Sequence, residues 1–234
     1  KIEKSKISGH ITCPANKSYS HRAIFLASLA GNNSKIDNVL FSADTVATIE
    51  ACRKFGAEIE EINTSIIVKK PIKTDIIVPE IDAKNSGTTI RIASGIASLF
   101  TREITLTGDS SLQKRPMQPL LDALESIGAK CNSTNGMPPI KITGRILGGD
   151  VSIPGNFSSQ FISALLICAP LTEKGINLVV LYVNCKLRKV SDTEYRILAE
   201  LIKKLGGSVP ATGLPTNQVY SRFIDILEKE KKMI

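Results

Sequence analysis

Three stretches of the chain are almost wholly apolar over ten or more residues, and each begins with small hydroxyl or amide side chains. Apolar runs of this length are too long for strands and are typical of buried helices. They cover Ser18–Ala30, Ser86–Leu99 and Ser158–Leu171. Because successive runs start about 70 residues apart, the pattern predicts an internal structural repeat.

A second set of three predicted helices follows the first set at a similar spacing, and each ends in a glycine. These helices cover Asp44–Gly56, Pro116–Gly128 and Asp192–Gly206. Glycine directly after a helix adopts the left-handed backbone conformation at little cost, so it marks the helix end.

Strand-like segments fill the gaps between the predicted helices. Lys35–Val39 and Glu103–Thr107 follow the first helices, and hairpin patterns follow the second helices. The hairpin strands are Ala57–Ile62 with Ser65–Lys69, and Ala129–Ser133 with Pro139–Thr143. The chain is therefore predicted to be an α/β protein of pseudo-threefold β-α-β-α-β-β repeats, two complete and a third partial. Since the first helices are apolar on several sides, we expect them inside and the sheets outside.

The composition adds few constraints. A chain of 234 residues with 42% apolar side chains can bury its own core. No apolar run approaches 18 residues, and Lys1–Ser8 lacks the apolar segment of a signal peptide, so we expect neither a membrane span nor secretion.

Five scattered cysteines without a paired motif indicate a reduced, cytoplasmic compartment and no metal site. Cys52 and Cys168 lie in apolar helical segments and are expected to be buried.

The net charge of +8 favours anionic partners, although solvated surface lysines account for most of it. Nucleic acid is not the expected partner, because aromatic residues make up only 5% of the chain and tryptophan is absent. Small phosphorylated or carboxylated metabolites fit the composition at least as well.

The starts of the three apolar helices share a pattern of small polar residues at 16–18, 85–88 and 156–160. Such residues are most often simple helix caps. They also suit anion binding, because helix N-termini present free N–H groups and small side chains let a phosphate approach. Lys17 and Arg22 add charge, and Arg22 lies one turn after Ser18 on the same helix face. Repetition of the pattern predicts that the three starts converge on one anion.

Arg115 is a further candidate anion ligand. Pro116 suits the first turn of a helix, which predicts that Arg115 lies just before a helix start. Its guanidinium group is suited to bidentate binding of carboxylate or phosphate. An ordinary surface arginine in a loop is the alternative.

Four motifs resemble those of the 5-enolpyruvylshikimate-3-phosphate synthase family, in the same order and at compatible spacings. The similarity extends to about Leu178. The motifs are PANKSYSHRAIFLASLA at Pro14–Ala30, NSGTTIR at Asn85–Arg91, LTGDSSLQKRPMQPLLDALESIGA at Leu106–Ala129, and SSQFISALL at Ser158–Leu166.

The resemblance implies transfer of the enolpyruvyl group of phosphoenolpyruvate to shikimate 3-phosphate, a step of aromatic amino-acid biosynthesis, without cofactor or metal. It implies two similar domains of three β-α-β-α-β-β units each, with the active site in the cleft between them. On this basis we expect residues 14–209 to form the three-repeat substrate-binding domain. Residues 1–13 and 210–234 would be remnants of the second domain, and the protein would be a cytoplasmic monomer.

The resemblance also implies roles for individual residues. Lys17 and Arg115 would be catalytic, Lys17 contacting both substrates and Arg115 gripping the phosphate or carboxylate of phosphoenolpyruvate. The remaining substrate-binding positions divide by ligand: Ser18, Arg22, Ser158 and Ser159 for shikimate 3-phosphate, Asn85 and Gly87 for phosphoenolpyruvate, Gln160 between the two, and Lys189 and Ser191 from a later motif.

The C-terminal part departs from the family, whose members are nearly twice as long. Asn184–Gly207 resembles a late family motif, but Val190 stands where the family has a catalytic glutamate. Ser191–Gly206 also fits an earlier family segment that ends in a helix and glycine, and this rival alignment suits the third repeat better. Val219–Lys232 resembles the family's last helix, whereas its general-base aspartate is not found. The sequence leaves open whether the chain is shortened or segments are missing from it.

Three alternatives have different chemistry. A related UDP-N-acetylglucosamine enolpyruvyl transferase would have Lys-Asn where this chain has Lys17-Ser18, and a cysteine near Arg115. A second alternative is a domain that binds shikimate 3-phosphate without turnover. A third is a nucleic-acid end-processing protein of related fold.

Overall fold

The computed structural model describes residues 10, 13–31, 33–78 and 80–181. The chain divides into two compact units, Lys1–Leu181 and Tyr182–Ile234, and all described residues lie in the first unit.

The first repeat contains two helices and an antiparallel sheet. Helix α1 spans Lys17–Leu29 and helix α2 spans Ala43–Lys54. The strands are β1 at Ser34–Ile36, β2 at Glu58–Ile62 and β3 at Ser65–Lys70, in the order β1-β3-β2. Isoleucine and valine on the inward side of β3 are buried, which fixes the face that the sheet turns to the helices.

The second repeat has the same order with one more described strand. Strands β4 and β5 are parallel, and β7 pairs antiparallel with both β5 and β6, in the order β4-β5-β7-β6. The elements are β4 at Glu80–Asp82, α3 at Gly87–Ala97, β5 at Ile104–Thr107, α4 at Gln118–Ser126, β6 at Lys130–Thr134 and β7 at Met137–Thr143.

The third repeat is described in its first half. Strand β8 (Gly149–Pro154) pairs parallel with β9 (Ile176–Leu181), and helix α5 (Ser159–Cys168) connects them. The β8-α5-β9 unit of the third repeat has the same arrangement as the β4-α3-β5 unit of the second. The sheet order β1-β3-β2 of the first repeat likewise corresponds to β5-β7-β6 of the second. The predicted α/β repeat is therefore confirmed. The predicted helix at Asp192–Gly206 lies outside the described residues.

Helix α3 is the most deeply buried helix of the described part. Every one of its residues is buried except Arg91. It packs closely on α5, because a Cβ added to Gly95 would lie 2.8 Å from the carbonyl oxygen of Ala164. Helices α1 and α5 lie nearer the surface, and Leu26 and Leu166 are each 52% exposed.

Cys52 and Cys168 are fully buried in α2 and α5, as expected from the sequence. Burial raises the pKa of both thiols to about 12, so neither is ionised at neutral pH.

Two local predictions were wrong. Strand β1 ends at Ile36 rather than Val39, because Asn38 adopts a left-handed backbone with φ of 57° and turns the chain. Pro116 does not lie in the first turn of α4, which begins at Gln118 and has Pro119 in that turn. The Met117 N–H instead donates to the carbonyl of Gly136 at 2.7 Å, which holds the segment ahead of the helix.

The predicted glycine helix ends are confirmed at Gly56 and Gly128, whose φ angles are 96° and 115°. None of the helices in the described ranges has the length and apolar character needed to cross a bilayer.

Candidate functional site

All three apolar helices begin with a capping side chain. The side chain of Asn16 accepts from the backbone N–H of Tyr19 at 3.0 Å. Ser86 accepts in the same way from Thr89 at 3.2 Å, and Ser158 from Gln160 at 3.2 Å. The caps satisfy one N–H group per helix and leave others at each start without an intrahelical partner. The helix-cap interpretation and the anion-site interpretation are thus compatible.

Lys17 is the first residue of α1 and lies beside the start of α2. Its Nζ is 2.7 Å from Oδ2 of Asp44, and the two side chains are 52% and 31% exposed. An ion pair this exposed contributes little to stability. An anionic ligand can therefore compete with Asp44 for the ammonium group.

Arg22 joins α1 to α5. Its Nε and Nη2 donate to Oγ of Ser163 at 3.1 and 2.8 Å. Nη1 donates to the carbonyl of Ser18 at 3.1 Å, which confirms that Arg22 and Ser18 share one helix face. The side chain of Ser18 is exposed at this face.

A chain of buried hydrogen bonds connects the starts of α1, α2 and α3. His21 Nδ1 lies 2.6 Å from Thr48 Oγ1, which lies 2.7 Å from Thr89 Oγ1. Thr89 in turn donates to Oγ of the capping residue Ser86 at 2.7 Å. Burial lowers the pKa of His21 to about 4, so its imidazole is neutral at physiological pH.

Two guanidinium groups converge on Gly87, the first residue of α3. A Cβ placed on Gly87 would lie 2.7 Å from Nη1 of Arg115 and 3.6 Å from Nη1 of Arg91. A side chain at this position would have to displace the Arg115 guanidinium group. The bare helix start and two positive charges therefore occupy one small region.

Asn85 holds Arg115 in place from the loop before α3. Arg115 Nη2 donates to Asn85 Oδ1 at 2.7 Å, and Asn85 Nδ2 donates to Asp109 Oδ2 at 2.7 Å. Hydrogen bonds from the Leu112 N–H and from Asn85 lower the pKa of Asp109. Asn85 and Asp109, together with Asp44, line a cavity of about 340 Å³.

Arg91 reaches from α3 to the start of α5. Its Nη1 donates to Oε1 of Gln160 at 2.6 Å and contacts Oγ of Ser158 at 3.4 Å. Gln160 Nε2 donates to Oγ1 of Thr88 at 2.7 Å. The guanidinium also lies over the ring of Phe161, 5.2 Å from its centroid.

The arginines of this region lack acidic partners. Within the described ranges, none of Arg22, Arg91 and Arg115 forms an ion pair with a carboxylate. Burial and the neighbouring charge of Arg115 lower the pKa of Arg91. Arg115 also helps to lower the pKa of Asp109, so this carboxylate balances part of its charge without forming an ion pair. Two positive groups this close still make a site suited to an anion.

The structure brings together five of the eleven site residues predicted from the sequence. Asn85, Gly87, Arg115, Ser158 and Gln160 form one contact network around the start of α3. Lys17 is connected to this region through Asp44, whose carbonyl oxygen lies 3.3 Å from Thr89 Oγ1.

Three other predicted site residues, Ser18, Arg22 and Ser159, stand apart from that network, and the side chain of Ser18 is exposed near the start of α1. Arg22 contacts α5 one turn further along the helix, and Ser159 is exposed at the start of α5. Lys189 and Ser191 lie outside the described residues.

Sequence reasoning missed three members of the network. Arg91 is the last residue of the motif NSGTTIR, but the motif alone did not indicate that it contacts Gln160. Thr88 was assigned only to a helix start and Asp109 only to a family motif, and neither was predicted to take part in the site. An arginine inside an otherwise apolar helix was the one available signal, because such a charge needs a polar partner.

A family model described as EPSP synthase (3-phosphoshikimate 1-carboxyvinyltransferase) matches residues 2–221. The chain is 80% identical over 180 residues to a 3-phosphoshikimate 1-carboxyvinyltransferase of Nitrosopumilus maritimus, covering 77% of this chain and 43% of that protein. It is 45% identical over 212 residues to the protein of the same name from Methanosphaera stadtmanae, covering 88% and 48%. The chain thus spans less than half the length of the curated relatives it matches.

Solved structures show the same similarity. An EPSP synthase from Acinetobacter baumannii matches with a TM-score of 0.67 and 28% identity, over 88% of this chain and 46% of that one. These matches favour this family over the UDP-N-acetylglucosamine enolpyruvyl transferases considered above.

Proposed function

The chain belongs to the EPSP synthase family, and from that premise we propose that it takes part in enolpyruvyl transfer. In this reaction C3 of phosphoenolpyruvate is protonated, and the 5-hydroxyl of shikimate 3-phosphate loses its proton as its oxygen bonds to C2. The tetrahedral intermediate then loses a proton from C3 while the carbon–oxygen bond to phosphate breaks, which restores the double bond and releases 5-enolpyruvylshikimate 3-phosphate and inorganic phosphate. The reaction belongs to the shikimate pathway of aromatic amino-acid biosynthesis.

One observation carries the proposal: the guanidinium groups of Arg91 and Arg115 meet at the bare start of α3, and neither forms an ion pair with a carboxylate among the residues described. Holding like charges together is unfavourable unless a counter-charge is supplied. Phosphate or carboxylate of phosphoenolpyruvate supplies it. The free N–H groups of the α3 start add donors for the same anion.

The residues divide by substrate. Arg115, Asn85 and Gly87 would hold phosphoenolpyruvate, since they form one hydrogen-bonded corner at α3. Lys17 would bind both substrates, exchanging its exposed contact with Asp44 for a ligand oxygen. Lys17 and Arg115 are the proposed catalytic residues.

Shikimate 3-phosphate would lie against the starts of α1 and α5. Ser18 and Ser159 expose their side chains there. Ser158 Oγ accepts from the Gln160 N–H, and its own proton has no acceptor in the described part of the chain, so it can donate to phosphate. Arg22 supplies charge beside these hydroxyls, and Gln160 would lie between the two substrates.

The chemical demand is electrostatic. Both substrates are anions, so binding them side by side brings negative charges together. Protonation of phosphoenolpyruvate at C3 makes C2 cationic. In the later elimination step the departing phosphate gains negative charge. Fixed cationic groups and helix N-termini offset the repulsion and stabilise the departing phosphate. Holding the two substrates in contact supplies much of the remaining rate enhancement.

A second candidate function is binding of shikimate 3-phosphate without turnover. It is favoured by the position of the proposed shikimate ligands, since Ser18, Arg22 and Ser158 all lie in the described unit.

The experiment combines two measurements on the 234-residue chain. Isothermal titration measures shikimate 3-phosphate binding, and a phosphate-release assay with both substrates measures turnover. Turnover supports the transferase, and binding alone supports the second candidate. Absence of both refutes the assignment.

Two alanine variants, measured in the same phosphate-release assay, test the proposed catalytic residues. We expect Lys17→Ala or Arg115→Ala to lower turnover by about a hundredfold or more, as for removal of a group that stabilises developing charge. The exposed Arg102 serves as the matched control, and Arg102→Ala is expected to keep wild-type turnover. Turnover of the Lys17 and Arg115 variants within a few fold of wild type would contradict their roles.

The remaining expectations stay predictions. Analytical ultracentrifugation tests the monomeric state. Cytoplasmic location and the contributions of Lys189 and Ser191 also stay open to test.

A further inference from the structure

Arg91 occupies an unusual position in α3. It is the only residue of that helix that is not buried, and its side chain extends to α5. There its Nη1 meets the side-chain oxygen of Gln160 at 2.6 Å. The nitrogen end of the same amide donates to Thr88 Oγ1 at 2.7 Å. Both ends of the Gln160 amide are therefore held by groups of α3.

These two contacts determine which way the amide faces. The carbonyl oxygen lies against a cation, and the nitrogen lies against a hydroxyl oxygen. The nitrogen carries two hydrogens, of which Thr88 receives one. The second N–H remains for a ligand oxygen. A reversed amide would present its carbonyl oxygen to the ligand and would repel an anion.

We propose that Arg91 is a positioning residue, which fixes the Gln160 amide so that its nitrogen donates to shikimate 3-phosphate. This inference rests on the proposed function, because it takes its ligand from there. Toward shikimate 3-phosphate, Arg91 acts only through Gln160, in addition to its charge beside phosphoenolpyruvate in the proposed function.

The packing of α3 on α5 does not by itself require this arginine. Gly95 already brings the two helices into close contact at Ala164. The Nε of Arg91 is buried without a hydrogen-bond partner in the described ranges, and no carboxylate neutralises the group there. A purely structural role would be filled better by an apolar side chain. The contact that distinguishes arginine here is the short donation to Gln160.

Binding of shikimate 3-phosphate to the full chain tests the proposal by isothermal titration. Arg91→Met keeps an unbranched apolar stem but removes the guanidinium group, and with it the donor and the contact with Phe161. We expect it to weaken binding by about tenfold or more, as for loss of a hydrogen bond to a charged group. Arg91→Lys keeps a positively charged donor but not the planar guanidinium group, so we expect it to lose less affinity than Arg91→Met.

A double-mutant cycle separates positioning from direct contact. Gln160→Met removes the amide itself. If Arg91 acts through Gln160, the double variant Arg91→Met, Gln160→Met binds no more weakly than Gln160→Met alone. Arg102→Met at an exposed site is the control for loss of one positive charge, and thermal unfolding confirms that each variant folds.

The outcomes are distinct. Failure of the wild-type chain to bind shikimate 3-phosphate overturns the proposed function, and the inference with it. If the wild-type chain binds, multiplicative losses in the double variant overturn the inference alone, because Arg91 then contacts the ligand directly. Wild-type affinity in Arg91→Met, or no recovery in Arg91→Lys, overturns it as well.

Discussion

The buried imidazole of His21 should make the folded chain less stable in mild acid. The side chain is fully buried, and Nε2 has no hydrogen-bond partner among the residues described. Burial lowers its pKa from 6.5 to about 4, against the opposing effect of Asp44 and with smaller lowering effects from Lys17 and Arg22. Protonation of the folded chain would place an uncompensated charge beside Thr48.

The sign of the effect follows from proton binding. Between pH 6.5 and about 4, the unfolded chain binds a proton at His21 that the folded chain does not bind. Stability therefore falls as the pH falls through this window. The difference in pKa corresponds to about 3 kcal/mol when both states are protonated, of which about 2 kcal/mol is lost by pH 5.

Urea unfolding followed by circular dichroism measures this loss. The wild-type chain is compared at about pH 7.5 and pH 5 with His21→Asn and with His10→Asn, the other histidine of the chain. Carboxylate contributions are common to all three proteins. We expect the wild type and His10→Asn to lose about 2 kcal/mol more than His21→Asn. Equal losses in wild type and His21→Asn would refute the reasoning.

Two glycine substitutions test the close approaches in the fold. Gly87→Ala places a methyl group 2.7 Å from Arg115 Nη1, so it should displace the guanidinium and weaken phosphoenolpyruvate binding by about tenfold, as for loss of a charged hydrogen bond. Titration checks this, and unchanged affinity would contradict the close approach. Gly95→Ala places a methyl group 2.8 Å from the Ala164 carbonyl, and overpacking should lower the free energy of unfolding by about 1–3 kcal/mol. Unchanged urea unfolding would show that α3 and α5 pack less tightly.

The repeat architecture was predictable because its signals are local. Buried helices, glycine helix ends and hairpins depend on hydrophobic periodicity and backbone preference within short windows. The matching sheet orders of the first two repeats confirm that prediction. The errors at Asn38 and Pro116 also have local causes, since an unexpected left-handed turn and a second nearby proline moved the element boundaries.

Part of the candidate site was also visible in the sequence. Lys17, Asn85 and Ser158 stand in repeated polar clusters before apolar helices, and the family motifs point to the same positions. Local sequence determined that these residues begin helices, because a cap satisfies N–H groups two or three positions further on. Its influence does not extend to partners on another helix.

Tertiary packing alone decided those partners. Arg91 meets Gln160 across 69 positions of sequence, and His21 meets Thr48 across 27. Such pairs form because burial of apolar surface packs α1, α2, α3 and α5 against one another. The polar groups buried between these helices then form hydrogen bonds with each other, since water cannot reach them. The local sequence determined the starts of the three capped apolar helices, and the packing of the helices decided that Arg91 and Arg115 meet at Gly87.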